Sequence, residues 1–249
     1  MRRKLLLLVA VFALLGAGWF ASLPKEGRDF YLVRAGAAND LATRWFAKAA
    51  ENGEISPENG NPPSGWFLSQ AEDGNPVAQY ILGRMLRSGE GYPKNCTDAL
   101  KWLWLSAEQG FAMSEYTLAD SYMIQTDQCG EKDIHRAREL YQRSARGGYA
   151  PAQEELYREY EGEGGAFPQD LQKAISWLYL AAIQGRERSQ FLLGRNYAEG
   201  KGVPQDYIRA YMWLYLSGEG KALLSKIVPQ MTTQQLADAD RLINRWHPQ

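Results

Sequence analysis

Five glutamates lie close together in the sequence and are its best candidates for catalytic acids: Glu154, Glu155, Glu159, Glu161 and Glu163. Two carboxylates on either side of a glycosidic bond can hydrolyse it, one acting as the acid and the other as base or nucleophile. The same residues are more often a solvated helix face. Because the spacing does not distinguish an acid of raised pKa from an exposed one, an envelope hydrolase is kept only as a remote alternative.

The two cysteines, Cys96 and Cys129, are a second possible source of chemistry. Together with His135 they supply three ligands for a metal ion, but a fourth ligand and a familiar spacing are missing. The other histidine is His247, and the sequence contains no Ser-His-Asp set, H-E-x-x-H or phosphate-binding G-x-x-x-x-G-K-[ST] motif. We therefore predict no catalytic residues, no metal and no cofactor.

A helical pattern recurs along the chain with a period of 36 to 38 residues, which is typical of a stacked repeat protein. The first helix of each copy has a small residue at its start, a large apolar residue four positions on, and usually a tyrosine or leucine after four more. This spacing places the three columns on one buried helix face. The small residues, taken as the helix starts, are Ala42, Ala78, Ser114, Ala152 and Ser189.

The second helix of each copy carries an alanine, then a tryptophan column three residues later: Trp66, Trp102, Trp177 and Trp213, with Leu140 in the third copy. We expect these tryptophans to be core residues. Two residues further on, Trp104, Tyr179 and Tyr215 either pack on a neighbouring repeat or form an exposed convex stripe.

Glycine and proline mark the turns between the paired helices, as in Gly200-Lys201-Gly202-Val203-Pro204. The third copy lacks the glycine pair and the proline and has residues 125–130 instead. Cys96 and Cys129 fall in the turns of adjacent copies, which lie on one edge of a stacked array. A disulfide is therefore favoured over two free thiols if the chain is in an oxidising compartment.

Several motifs recur together in these columns: A-x-x-x-L-G-x-x-Y, G-x-G-V-P-x-D and A-x-x-W-x-x-x-x-A-x-x-G. They resemble the Sel1-like repeat family, a subclass of the tetratricopeptide-like helical hairpins. The resemblance covers residues 42 to about 222. It implies an all-α, right-handed α/α solenoid that binds other proteins.

The resemblance and the chain ends together define the domain organisation. Residues 1–24 are a signal peptide or membrane anchor, and 25–41 are a linker. The five repeats are 42–77, 78–113, 114–151, 152–188 and 189–222, and residues 223–249 hold a C-terminal capping helix. That helix has a capping box from Thr232 to Gln235, and its apolar side contains Leu236, Ala239, Leu242, Ile243 and Trp246.

The N-terminus predicts export. Arg2, Arg3 and Lys4 precede an uncharged run, residues 5–23, which as a helix would extend about 28 Å and nearly span the hydrocarbon core. We expect the repeats in the bacterial periplasm, with an uncleaved anchor in the inner membrane slightly favoured. The net charge of −1 argues against nucleic-acid binding, which needs a basic face.

The predicted partner-binding surface is the side of the first helices opposite their buried columns. Positions two, six and nine after each small residue should point outward. Arginine, methionine and aromatic residues there are types that dominate interface energetics. An ordinary mixed polar surface is about as frequent. The candidates are Lys48, Tyr80, Arg84, Arg87, Tyr116, Asp120, Met123, Arg158, Phe191 and Arg195.

These patterns favour a non-catalytic, periplasmic protein-binding solenoid. The specific hypothesis is an immunity protein that neutralises a secreted toxin effector, and the alternative is an adaptor or regulator of envelope assembly or signalling. Position six is basic at Lys48, Arg84, Arg158 and Arg195, so we expect a partner with an acidic segment.

Overall fold

The computed structural model describes residues 64–89, 92–123, 129, 131–162 and 168–246. Within these ranges the chain forms helices and turns, without strands. The apolar segment 5–23, the linker 25–41 and the first helix predicted for the first copy lie outside the described residues. No helix in the described part has the length and apolar character needed to cross a membrane.

From the second copy to the fifth, the helices follow one another as predicted, two to a copy. Their bounds are α1 Ser64–Glu72, α2 Pro76–Ser88, α3 Cys96–Glu108, α4 Ala112–Met123, α5 Ile134–Arg146, α6 Ala150–Glu161, α7 Leu171–Ile183, α8 Glu187–Glu199 and α9 Tyr207–Leu216. The C-terminal part adds α10 Lys221–Ile227, a short 3-10 turn Val228–Gln230, and α11 Thr233–Arg245.

The helices divide into two compact units, which are described separately: an N-terminal unit that ends at Ala152 and a C-terminal unit from Gln153. In the N-terminal unit α2 packs against α3, and α4 against α5. In the C-terminal unit α8 packs against both α7 and α9, and α9 is covered by α10 and α11.

The predicted small and leucine columns of the first helices are confirmed as core. Ala78, Ser114, Ala152 and Ser189 have no exposed surface, and Leu82, Leu118, Leu156 and Leu193 have almost none. The helices begin two residues before the small column, because the first turn precedes the buried face. In α2 the Asn75 side chain caps this turn by accepting from Val77 and Ala78.

One backbone hydrogen bond closes every described turn between paired helices. The amide of the residue that caps the second helix donates to a carbonyl in the last turns of the first helix, at 2.8–3.1 Å. The pairs are Asn95 with Leu86, Asp133 with Tyr122, Asp170 with Tyr160, and Asp206 with Tyr197. The third copy keeps this bond although it lacks the glycine and proline pattern.

The predicted disulfide is present. Cys96, the first residue of α3, is bonded to Cys129, with a Cα–Cα distance of 4.9 Å. Since both sulfurs are used in this bond, two free thiols and a metal site built from Cys96, Cys129 and His135 are both excluded. The bridge joins the turn of the third copy to the second helix of the copy before it.

The tryptophan column is only partly a core column, which corrects the prediction. Trp102 and Trp177 are half-buried, while the leucines that follow them, Leu103 and Leu178, are fully buried. Trp213 is buried because the rings of Tyr179 and Trp246 pack against it, at centroid distances of 6.1 and 6.3 Å. The expectation holds for the last copy, where additional residues cover the tryptophan.

The C-terminal helix has the predicted capping box. The Thr232 hydroxyl accepts from the Gln235 amide, and the Gln235 side chain accepts from the Thr232 amide. Ala239 is buried, but Leu242 is 40% exposed and does not belong to the covered side. Helix α10 was not predicted, because its seven residues are too few to show a periodic pattern.

Candidate protein-binding surface

Position two of the first helices, predicted to point outward, instead contacts the residue directly before the first helix of the next copy. Tyr80 packs against Phe111 with ring centroids 5.5 Å apart, and Tyr116 packs against Tyr149 at 5.2 Å. In the C-terminal unit the same relation is an ion pair between Glu154 and Arg186. Tyr80 is only 8% exposed, so its ring mainly packs within its own copy, against the connection to the next first helix.

Arg84, at position six of its copy, is exposed and is supported by this packing. Its guanidinium carbon lies 5.7 Å from the centre of the Tyr80 ring, and its Nη1 lies 3.5 Å from the Tyr80 hydroxyl. An arginine stacked on a tyrosine keeps its charge and much of its hydrogen-bonding fork available at the surface.

Asp120 occupies position six in the third copy and is held by a buried tyrosine. The hydroxyl of Tyr141, which is 4% exposed, donates to Asp120 Oδ1 at 2.6 Å, and the Tyr141 ring contacts Tyr116 at 5.5 Å. The carboxylate is therefore fixed in place before any partner binds. Met123 and Arg87 are both half-buried.

The candidate residues of the C-terminal unit are already paired with or packed against neighbouring residues. Arg158 pairs with Glu155 in the same helix, and Arg195 Nη2 lies 3.7 Å from Glu161 Oε1. Phe191 packs against the core, and Ala198, predicted to point outward at position nine, is buried. Lys48, the remaining candidate, lies outside the described residues.

Glu161 is the centre of a polar network. Lys201 Nζ donates to its carboxylate at 2.7 Å. Burial alone would raise the pKa of Glu161, but hydrogen bonds from Lys201 and Tyr157 and the charge of Arg195 lower it overall. Burial is also the main reason why the pKa of Tyr157 is raised to about 12, so this hydroxyl stays protonated.

The glutamates considered as catalytic acids do not form an acid pair of the kind glycosidases use. Glu154 binds Arg186 and the Ser189 hydroxyl, Glu155 binds Arg158, and Glu161 binds Lys201. Cations beside a carboxylate favour its ionised form, which is the opposite of what a general acid needs. Glu159 is half-buried, and Glu163 lies outside the described residues.

Metal chemistry has no support either. Within the ranges that the structure describes, no group of three or more histidine, cysteine, aspartate or glutamate side chains is placed to hold an ion. The arrangement of charged groups over packed aromatic rings is suited to contact with another macromolecule.

Paired helices closed by a common turn, stacked copy on copy, define a helical repeat protein. Five stretches match the family model of the Sel1 repeat: residues 38–54, 76–111, 112–149, 157–185 and 188–220. These stretches make up more than half of the chain, which therefore belongs to the Sel1 repeat family, an all-helical repeat fold that mediates protein interactions.

The chain is also similar to solved structures. A Sel1 repeat protein from Oxalobacter formigenes is 32% identical, with a TM-score of 0.61 over 68% of this chain and 48% of that one. A protective antigen of uropathogenic Escherichia coli is 29% identical, with a TM-score of 0.43 over 74% of this chain and 48% of that one. This chain thus spans about half the length of both.

An immunity protein from Pseudomonas aeruginosa is 18% identical, with a TM-score of 0.43 over 83% of this chain and 79% of that one. Identity this low reflects the fold alone and says nothing about the role of this chain. The comparison with curated proteins gives no match.

Sequence reasoning missed the partners of position two. They lie three residues before the small column of the next copy: Phe111, Tyr149 and Arg186. In two copies an aromatic side chain faces another aromatic side chain, and in the next copy a glutamate faces an arginine. This matched change of chemistry was a signal available in the sequence.

Proposed function

We propose that this chain is a non-catalytic scaffold that binds a partner protein through the first-helix face of its N-terminal unit, centred on Arg84. The observation that carries this proposal is the exposed Arg84 guanidinium, supported by Tyr80 and without a carboxylate neighbour among the described residues. The aromatic contacts beneath this face fix its side chains in advance, which reduces the entropy lost on binding.

The partner offers an acidic segment to this face. In the C-terminal unit the two position-six arginines, Arg158 and Arg195, already have carboxylate partners, so less of the positive charge predicted for position six is available there. Arg84 can bind a partner carboxylate with both arms of its fork. Asp120, bound to Tyr141, supplies an acceptor for donors on the same partner.

The test begins with affinity capture of the partner from bacterial membranes, followed by titration of the identified partner. Arg84→Glu should weaken binding by about tenfold or more, since it replaces a charge-assisted contact by repulsion. Arg241→Glu is the matched control, because Arg241 is exposed but pairs with Asp238 on α11. If both variants bind the partner like the original chain, the first-helix face is not the binding site.

We also propose that the repeats act in the bacterial periplasm and that residues 5–23 tether them to the inner membrane. The basic residues 2–4 ahead of the apolar run support this. Alkaline phosphatase, which is active only after export, should be active when fused after Gln249. A stable but inactive fusion would refute the location.

Within that compartment the role we propose is immunity, the capture of a toxic enzyme. A protein-binding fold and an exported chain are what this role requires. Co-expression should restore growth to cells that produce the cognate toxin in the periplasm, and Arg84→Glu should reduce the rescue. Capture of an assembly factor without any toxin would instead favour the adaptor role.

A further inference from the structure

The third residue of the second helices carries a cation in three successive copies: Arg136, Lys173 and Arg209. Each cation lies over a tyrosine in the last turn of the preceding first helix, respectively Tyr122, Tyr160 and Tyr197, at 5.2, 5.6 and 5.5 Å from the ring centre. Each second helix is also capped by an aspartate three residues earlier.

In the fourth and fifth copies this aspartate neutralises the cation. Lys173 Nζ lies 3.0 Å from Asp170 Oδ2, and Arg209 Nε lies 3.5 Å from Asp206 Oδ2. These cations are therefore part of the turn itself, and their charge is balanced locally.

The third copy differs because its cation also lies over the ring of a tryptophan from the preceding copy. The Arg136 guanidinium lies 4.7 Å from the Trp104 ring as well as over Tyr122. Trp104 Nε1 donates to the Tyr122 hydroxyl at 3.2 Å, which holds the two rings together as one platform. Within the described ranges, the side chain of the cap Asp133 accepts only the backbone amide of Arg136.

Arg136 consequently presents an exposed guanidinium without a carboxylate or hydrogen-bond partner in the described part of the chain. By contrast, Arg143, Arg158, Arg186, Arg195, Arg209 and Arg241 all form ion pairs. The disulfide supports the arrangement, since it joins Cys129, four residues before the cap Asp133, to the helix that carries Trp104.

We propose that Arg136, on its platform of Trp104 and Tyr122, is a second binding site, one that accepts a carboxylate from an acidic protein segment. Stacking on both rings leaves the edge of the planar guanidinium for a bidentate contact with a carboxylate. The site lies on the second-helix side of the N-terminal unit and does not depend on the first-helix face around Arg84.

A labelled hexaglutamate peptide tests this site by fluorescence anisotropy at low salt. Arg136→Gln should weaken binding by about threefold or more, as expected for the loss of one good exposed ion pair. Arg209→Gln is the matched control: it removes the same charge at the same helix position, over the same type of ring, but from a cation that Asp206 already neutralises. It should leave binding unchanged.

Two further variants separate the site from general charge effects. Arg136→Lys keeps the charge and the helix but loses the planar fork, and should weaken binding nearly as much as Arg136→Gln. Trp104→Leu should also weaken it, because the guanidinium is then able to turn back to Asp133 as in the later copies.

Several results would overturn the proposal. Equal effects of Arg136→Gln and Arg209→Gln would show only long-range attraction, and failure of the peptide to bind would remove the site. Displacement of the peptide by inorganic phosphate, or Arg136-dependent binding to phosphatidylglycerol vesicles in place of the peptide, would assign the site to another anion.

Discussion

The carboxylate of Glu115 lies 2.8 Å from Nη2 of Arg143, and the two side chains have very different exposure. Glu115 is 5% exposed and Arg143 44% exposed. The arginine also donates to the carbonyl of Ala107, so it links α5 to both α4 and α3. Arg143 therefore pairs with a buried acid of its own copy and also bonds to the backbone of the preceding copy.

Removing the arginine should therefore be costly. We expect Arg143→Met to lower the free energy of unfolding by about 1–3 kcal/mol, since it leaves a buried acceptor without its donor. Adding Glu115→Gln to this variant should recover part of the loss. Urea denaturation of the four proteins of this cycle gives the coupling, and strictly additive effects would contradict it.

The same glutamate should make stability depend on pH. Burial raises the pKa of Glu115 and outweighs the opposing effect of Arg143, so the folded state binds this proton at a higher pH than the unfolded chain. Stability from this group is fully present below about 4.3, where unfolded glutamate titrates, and is lost as pH rises through the folded pKa. Urea titrations across this range should show the loss in the original chain but not in Glu115→Gln.

Reduction of the disulfide should destabilise the N-terminal unit. The bridge closes 33 residues, and a loop of this length corresponds to about 3–4 kcal/mol in the chain-entropy treatment. The melting temperature should fall on adding a dithiol. The double variant Cys96→Ser with Cys129→Ser should melt like the reduced chain and not respond to the dithiol.

Replacing the core residue Leu178 should lower the free energy of unfolding more than replacing Trp177 beside it. Leu178→Ala removes a fully buried side chain and should cost about 2–5 kcal/mol, whereas Trp177→Ala should cost less because Trp177 is half-buried. Trp213→Ala should cost about 3–5 kcal/mol. The prediction is wrong if Trp177→Ala lowers the free energy of unfolding as much as Trp213→Ala does.

Glycine in the first helices allows the paired helices to approach closely. A Cβ at Gly194 would lie 2.7 Å from Cγ of Leu214 and 2.9 Å from its backbone nitrogen. Gly194→Ala should therefore destabilise by about 1–3 kcal/mol despite the better helix propensity of alanine. Gly65→Ala in α1 is the control, because a Cβ there meets none of the described residues within 4 Å, and it should not destabilise. Thermal melts of both variants decide the question.

The features that could be predicted from the sequence are those that recur in each copy of the repeat. The burial of Ala78, Ser114 and Leu193 follows from spacing alone, because a helix face with a period of four residues must be covered. The Cys96–Cys129 bridge followed from placing both residues in adjacent turns. These inferences needed only the register of one copy against the next.

What the sequence did not give was the direction of side chains near a copy boundary. Tyr80 was assigned to the surface because only its own helix was considered, and the facing Phe111 lies 31 residues later, just before the next first helix. Similarly, Arg136 looks like any surface arginine in the sequence. Its difference from Arg209 depends on Trp104, which lies 32 residues earlier.

The common bond that closes the turns leaves the intervening loop free to vary. The residues it joins are separated by nine positions between Tyr197 and Asp206 but by eleven between Tyr122 and Asp133. Insertions at these points are compatible with the helix pairing on either side, because the loop has only to return to the same carbonyl. The turns are therefore places where new recognition loops can evolve, or be grafted by design, while the stacked helices keep their register.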